Sequence, residues 1–216
     1  MAAGAVAARL HGAYTPSMGE PARKLLSYRD YLDLEVANGV RHEFLDGEVV
    51  AMAGGSVAHA DLALNVALLL KAGLRGPCRA SNSDQRLREP VTGFATYPDV
   101  SVVCGPRTFH PEDRQAITNP ALIVEVLSPS TEANDRGAKF ERYGRFSTLA
   151  AYVLVNTSTR RLEVFTRNAD QSWTLRTYGP AERAPLLCVG LELAVDDVYA
   201  DVELDPLPSP LRPAGP

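Results

Sequence analysis

A chain of 216 residues, 45% hydrophobic and 22% charged, has the size and composition of one folded domain with a single core. Its net charge of −4 counts against a protein that simply coats nucleic acid, which would need a local basic patch to overcome the average field. Apolar runs fall short of the roughly 20 residues of a membrane-crossing helix, which sets a membrane-spanning reading aside.

The first 24 residues show no sustained periodicity. Met1 to Leu10 is small and apolar but lacks a basic start and a long hydrophobic stretch, so residues 1–24 are expected to be a loosely ordered extension and not a signal peptide, with a cytoplasmic location to match. Ser27 and Asp30 have capping-box spacing and Leu32 and Val36 continue it, predicting a helix that ends near Asn38-Gly39. Arg41 to Ala53 reads as a hairpin about Asp46-Gly47. Ser56 to Ala72 reads as a core helix, with Leu62, Leu64, Val66, Leu68, Leu69 and Leu70 as a broad apolar face and Gly73 at its end.

Short strands are predicted next, at Gln85 to Arg88, Asp99 to Cys104 and Ala121 to Leu127. The last of these is nearly all apolar, as in a strand covered on both faces. A helix over Asn134 to Tyr143 and an apolar strand over Tyr152 to Val155 complete a βαβ crossover. Arg161 to Thr166 and Trp173 to Tyr178 read as antiparallel strands, and Val195 to Tyr199 as a closing helical turn. Prolines at 206, 208, 210, 213 and 216 forbid regular structure, so a single domain over 25–204 is expected, followed by a Pro-rich tail over 205–216. The predicted fold is α/β, a central mixed sheet flanked by helices. Cys78, Cys104 and Cys188, odd in number and widely spaced, suit neither a disulfide framework nor a zinc cluster and are expected to be packing residues.

Glu125 stands inside the apolar run Leu122 to Leu127, where an ionised carboxylate costs several kcal/mol, on the order of 3 or more, unless something compensates it. An arginine partner or a solvated strand end would do so. A second acid, Asp99, opens a strand directly after Pro98, although a Pro-Asp pair alone is most often a turn element. Two carboxylates from neighbouring strand ends would make an oxygen-rich site suited to Mg²⁺, which keeps several of its waters. Only three lysines accompany nineteen arginines, and one of them, Lys139, lies on the helix after the Glu125 strand, close enough to bring an ammonium back over it. Asp135, Lys139 and Tyr143 share a helix face, which is equally the pattern of a simple ion-pair stripe.

These residues, Pro98-Asp99-Val100, Pro120 through Glu125 to Thr131, Asp135-Arg136 with Lys139 and Tyr143, and Ala151 to Val155, resemble the Uma-type family of the PD-(D/E)xK, restriction-endonuclease-like superfamily. Glu43, Asp46-Gly47-Glu48 and His59 extend the resemblance over roughly residues 27 to 200. It implies a sheet-centred nuclease fold, a divalent cation (Mg²⁺, or Mn²⁺) held by Asp99 and Glu125, Lys139 as the supporting cation and Glu43 as a further acid. The superfamily lysine two residues after the glutamate is absent, that position being Leu127, and its role passes to Lys139. His59, near a helix start, reads as a capping or surface residue ahead of a functional one.

The implied activity is hydrolysis of DNA phosphodiester bonds, with Arg79, Arg86, Arg88, Arg107 and Arg136 as candidate phosphate contacts. Two other readings remain open at this level: a nucleic-acid-binding or assembly protein that keeps the fold without cutting, and a hydrolase of a small phosphorylated molecule. Nucleases that cut both strands often act as twofold dimers, which makes a homodimer an assembly to test.

Overall fold

The computed structural model describes residues 25–52, 54–128 and 131–207. The expected N-terminal extension lies outside them, as does most of the Pro-rich tail. In chain order the elements are α1 (Tyr28–Asn38), β1 (His42–Leu45), β2 (Glu48–Ala51), α2 (Val57–Gly73), β3 (Cys78–Asn82), β4 (Leu87–Arg88), β5 (Phe94–Thr96), β6 (Val100–Cys104), β7 (Phe109–His110), β8 (Asp113–Ile117), β9 (Leu122–Val126), α3 (Glu132–Arg136), α4 (Ala138–Tyr143), β10 (Ala151–Val155), β11 (Leu162–Arg167), β12 (Trp173–Tyr178), β13 (Arg183–Leu186), β14 (Leu191–Ala194) and α5 (Val195–Val198).

The mixed α/β class holds, but the strands of the described residues divide between two six-stranded sheets and a small hairpin. One sheet runs β12-β11-β10-β9-β6-β3, with β9 and β10 parallel at its centre as the crossover predicts. The other runs β2-β1-β5-β4-β8-β7 and includes one parallel contact, β4 with β8.

Local signals account for the predicted elements. The Ser27 hydroxyl accepts the Asp30 N–H at 3.1 Å while Asp30 Oδ2 accepts the Ser27 N–H at 3.0 Å, closing the reciprocal cap of α1, and Gly39 ends the helix with φ at 65°. Asp46 and Gly47, both at positive φ (53° and 97°), turn β1 into β2. In α2 the buried stripe is Ala58, Leu62, Val66 and Leu70, spaced four apart. Leu64 and Leu68 remain 58% and 57% exposed, so the apolar face that meets the core is narrower than the composition of the helix implies.

Alternation along β9 decides where the site lies. Leu122, Val124 and Val126 face α2 and join its core, whereas Ile123 and Leu127 face the other way, packing with Tyr143, Tyr152, Phe94 and Leu87 between the two large sheets. Glu125 has the parity of Ile123 and therefore points into the space between the sheets.

Two expectations change. The helix expected over Asn134 to Tyr143 is two short helices, broken at Gly137, whose φ of −113° and ψ of −102° lie outside the helical region. Cys78 and Cys104 are not separate packing residues: antiparallel pairing of β3 with β6 sets them opposite each other, with Cα atoms 3.9 Å apart, and they form a disulfide. Cys188 stays free. Beyond α5 the chain remains tied to the domain as far as Asp205, whose N–H donates to Thr157 O at 2.9 Å and whose carboxylate accepts the Ser56 hydroxyl at 2.7 Å. Among the described residues no helix is long and apolar enough to cross a membrane.

Candidate active site

β6 and β9 run antiparallel, with Val100 opposite Val124, and one step further along the ladder Asp99 and Glu125 become neighbours. The Val126 N–H donates to Asp99 Oδ2 at 2.7 Å, and the Asp99 N–H points to Glu125 Oε2 at 3.4 Å. Asp99 lies in a bend just after Pro98 and one residue before β6, and its carboxylate reaches across the strand end to the β9 backbone. From the opposite sheet, β1 contributes Glu43, which has the parity opposite to Phe44 and accepts the Thr96 hydroxyl at 2.6 Å.

Lys139 on α4 joins the two sheets. Its Nζ lies 2.9 Å from Glu125 Oε1, 3.0 Å from Glu43 Oε1 and 3.6 Å from Asp135 Oδ1 one turn earlier. One turn later the Tyr143 hydroxyl donates to Glu125 Oε1 at 2.5 Å. Asp135 at the end of α3 and Lys139 on α4 thus form an ion pair across the break at Gly137 and a wall of the site at once, with Tyr143 behind them. Together Glu43, Asp99, Glu125, Asp135 and Lys139 line a cleft of about 310 Å³, with His59, Tyr97, Thr131 and Asn134 also on its walls.

Charge is poorly balanced here. Four buried or largely buried carboxylates face one ammonium. Burial raises the pKa of Glu125, Asp99 and Asp135 push it the same way, and Lys139 and the Tyr143 hydroxyl oppose them. Burial also raises that of Asp135, against Lys139. For Lys139 burial favours the neutral form, yet Glu125, Glu43 and Asp135 outweigh it and hold the ammonium charged, its pKa well above the ordinary value. The hydrogen bond to Asp99 outweighs burial at His59 and raises that imidazole too. Among the described residues no three His, Cys, Asp or Glu side chains form a ready-made metal cage. What the cleft offers a cation is a pair of hard carboxylates, the donor set of an ion that retains most of its waters.

All four residues singled out in the sequence, Glu43, Asp99, Glu125 and Lys139, meet in this one cleft. The five arginines do not reach it. Arg86 is buried between Glu35 and Asp113, Arg88 stacks on Tyr28, and Arg136 pairs with Glu132 and Glu163. Arg79 bonds to the carbonyls of Gly76 and Cys78, and Arg107 to Ser81. None of them lines the cleft among the described residues. Sequence reasoning underrated two residues. Asp135 is visible in the helical spacing but ambiguous there, and His59, set aside as a cap, places Nε2 3.3 Å from Asp99 Oδ2.

The family model Uma2, described as "Putative restriction endonuclease", matches residues 28–196. The uncharacterized protein slr1290 of Synechocystis sp. is 39% identical over 188 residues, covering 87% of this chain and 96% of that protein. A second uncharacterized Synechocystis protein, sll1609, is 33% identical over 153 residues, covering 70% and 86%. In structure the chain is similar to a crystal structure described as "a putative nuclease belonging to DUF820", from Anabaena variabilis, with a TM-score of 0.63 over 79% of this chain and 97% of that one. At 15% identity that likeness shows a shared fold.

Proposed function

Because the chain belongs to the Uma2 family of putative restriction endonucleases, we propose that it hydrolyses DNA phosphodiester bonds with Mg²⁺, or Mn²⁺, held by Asp99 and Glu125. The observation that carries this reading is the contact of Lys139 Nζ with Glu125 Oε1 at 2.9 Å, beside Asp99, in an open cleft. It supplies the ammonium that the missing lysine at Leu127 would have provided.

The residues present fit a hard divalent ion. Two carboxylates lie side by side at a strand end, and the surrounding excess of negative charge is the environment in which a bound cation relieves repulsion. When bound, the ion supplies positive charge that stabilises a scissile phosphate and acidifies water.

The chain's own residues do the rest. Lys139 neutralises charge gathering on the phosphate and keeps Glu125 oriented. Glu43 and Asp135 fix the Lys139 ammonium from two sides, and Glu43 is also placed as a further acid for cation ligation or proton transfer. Since no described arginine lines the cleft, phosphate oxygens are met by Lys139 and by the neutral donors Thr131 and Asn134 on its wall.

Cleavage of supercoiled, linear and single-stranded DNA with Mg²⁺ or Mn²⁺ tests the proposal, using Asp99→Ala, Glu125→Ala and Lys139→Ala after each is shown to fold. Cleavage that requires the cation and vanishes in all three supports it. Wild-type protein that binds DNA without cutting points to a non-catalytic binding protein, and activity that survives both acid substitutions rules out this site.

A further inference from the structure

We propose that His59 is a positioning residue for Asp99, and that Gly55 is glycine because it makes room for the His59 ring. This rests on the reading of Asp99 as a cation ligand and goes beyond it by naming what orients that ligand.

The local sequence Gly54-Gly55-Ser56 leads into α2. The Ser56 hydroxyl accepts the His59 N–H at 3.1 Å and donates to Asp205 at 2.7 Å, so the first turn of the helix is held from both sides. This fixes the backbone that carries the imidazole. The ring then crowds Gly55: a Cβ at that position would sit 2.5 Å from both Cγ and Nδ1 of His59 and 2.9 Å from its Cβ. Carbon atoms do not approach so closely, so any side chain at residue 55 drives the ring away.

Pinned there, His59 reaches Asp99 Oδ2 with Nε2 at 3.3 Å, and the same oxygen accepts the Val126 N–H at 2.7 Å. Two groups from two different elements, the imidazole of α2 and the backbone N–H of β9, thus converge on one carboxylate oxygen. Asp99 Oδ1 has no hydrogen bond among the described residues and is the oxygen left to meet a ligand. A histidine present only to cap its helix would have no need of a glycine under its ring or of a carboxylate at its Nε2. Groups that orient a ligating carboxylate in this way are typically worth roughly 10- to 100-fold in metal affinity.

The test is Mn²⁺ binding by the full chain, measured by calorimetry on wild type, His59→Ala, His59→Gln and Gly55→Ala, each checked for folding by circular dichroism. His59→Ala is expected to weaken Mn²⁺ binding by roughly 10- to 100-fold. Gly55→Ala should move affinity the same way, because the imidazole is present but displaced, while His59→Gln, which keeps an N–H donor, should recover part of the loss. In DNA cleavage the Mn²⁺ concentration for half-maximal rate should rise more than the rate at saturating Mn²⁺ falls. If His59→Ala does not fold, Gly55→Ala and His59→Gln decide the matter. Wild-type affinity in both His59→Ala and Gly55→Ala overturns the proposal and leaves the site reading standing, and so does tighter binding, which would mean that the imidazole competes for Asp99. Folded wild type that binds no Mn²⁺ overturns the reading of Asp99 as a ligand, and the proposal with it.

Discussion

The Lys139 ammonium lies 2.9 Å from Glu125 Oε1, linking α4 to the end of β9, and the two groups are 11% and 6% exposed. Removing one partner of such a buried pair leaves the other uncompensated. Lys139→Met strands Glu43, Glu125 and Asp135 together, and a loss of about 3–5 kcal/mol is expected in urea unfolding without divalent cations. Glu125→Gln behaves differently: its amide oxygen still accepts from Lys139 and Tyr143, and one buried negative charge is gone. Its metal-free stability should stay within about 1 kcal/mol of wild type while cleavage is lost. Equal losses in the two variants would mean that the ammonium does not compensate the acids.

Arg86, just before β4, and Arg88, within it, make opposite predictions. The Arg86 guanidinium bonds to Asp113 at 2.5 Å, Glu35 at 2.9 Å and the Tyr97 hydroxyl at 2.8 Å. Arg88 lies 3.4 Å over the Tyr28 ring, and its buried Nε and NH1 have no hydrogen-bond partner among the described residues. Arg86→Met leaves two buried acids unpaired and should cost about 3–5 kcal/mol. In Arg88→Met the lost cation–π contact is offset by relief of unsatisfied donors, which keeps stability within about 1 kcal/mol of wild type. Denaturant midpoints with unchanged slopes are the measurement. A large loss at Arg88 would show that the stacked cation stabilises the fold more than its bonding implies.

What could be read from the sequence depended on how local the signal was. α1, the first hairpin, α2 and the β9–β10 crossover each carry their cap, turn or apolar run within a few residues, and Glu125 stands out because its neighbours are apolar. The second large sheet was hidden because β4, β5 and β7 are only two or three residues long, and the contacts that join its hairpins into one sheet, β1 with β5 and β4 with β8, link separated parts of the chain. Asp99, Glu125 and Lys139 were legible in combination, but Glu43 entered only through resemblance, since nothing in a single hairpin strand tells which sheet it will face. The approach of His59 to Asp99 could not be read, because that contact exists only after α2 has docked. The disulfide was missed for the same reason, its cysteines being brought together by strand pairing alone.

Asp113 makes stability sensitive to acid. Burial favours its neutral form, but hydrogen bonds from the Tyr28 hydroxyl and the Gln115 N–H, together with Arg86, outweigh that and lower its pKa below the ordinary carboxylate value. A carboxyl lowered on folding contributes stability that is fully present above its unfolded pKa of about 4 and disappears as pH falls through the folded value. The unfolding free energy should therefore drop on acidification below about pH 4. In Asp113→Asn the curve starts lower at neutral pH, because Arg86 and Tyr28 lose a charged partner, and is flatter over the acid limb. Identical acid limbs in the two proteins would assign the dependence to other carboxylates.

The Cys78–Cys104 bridge closes a loop of sequence separation 26 and anchors the edge strand β3 to β6. Constraining an unfolded chain over a loop of this size is worth about 2–4 kcal/mol. Reductant, or the double change Cys78→Ala with Cys104→Ala, should lower the melting temperature and speed amide exchange in β3. The bridge sits at one end of β6, opposite the end next to Asp99, and the register between them is held by the Val100–Val124 and Ser101–Ile123 pairs. Mn²⁺ affinity of the reduced, folded protein should therefore match that of the oxidised form. A loss of cation binding on reduction, measured well below the melting transition, would show that strain at the edge strand reaches the site and that β6 does not hold Asp99 in place unaided.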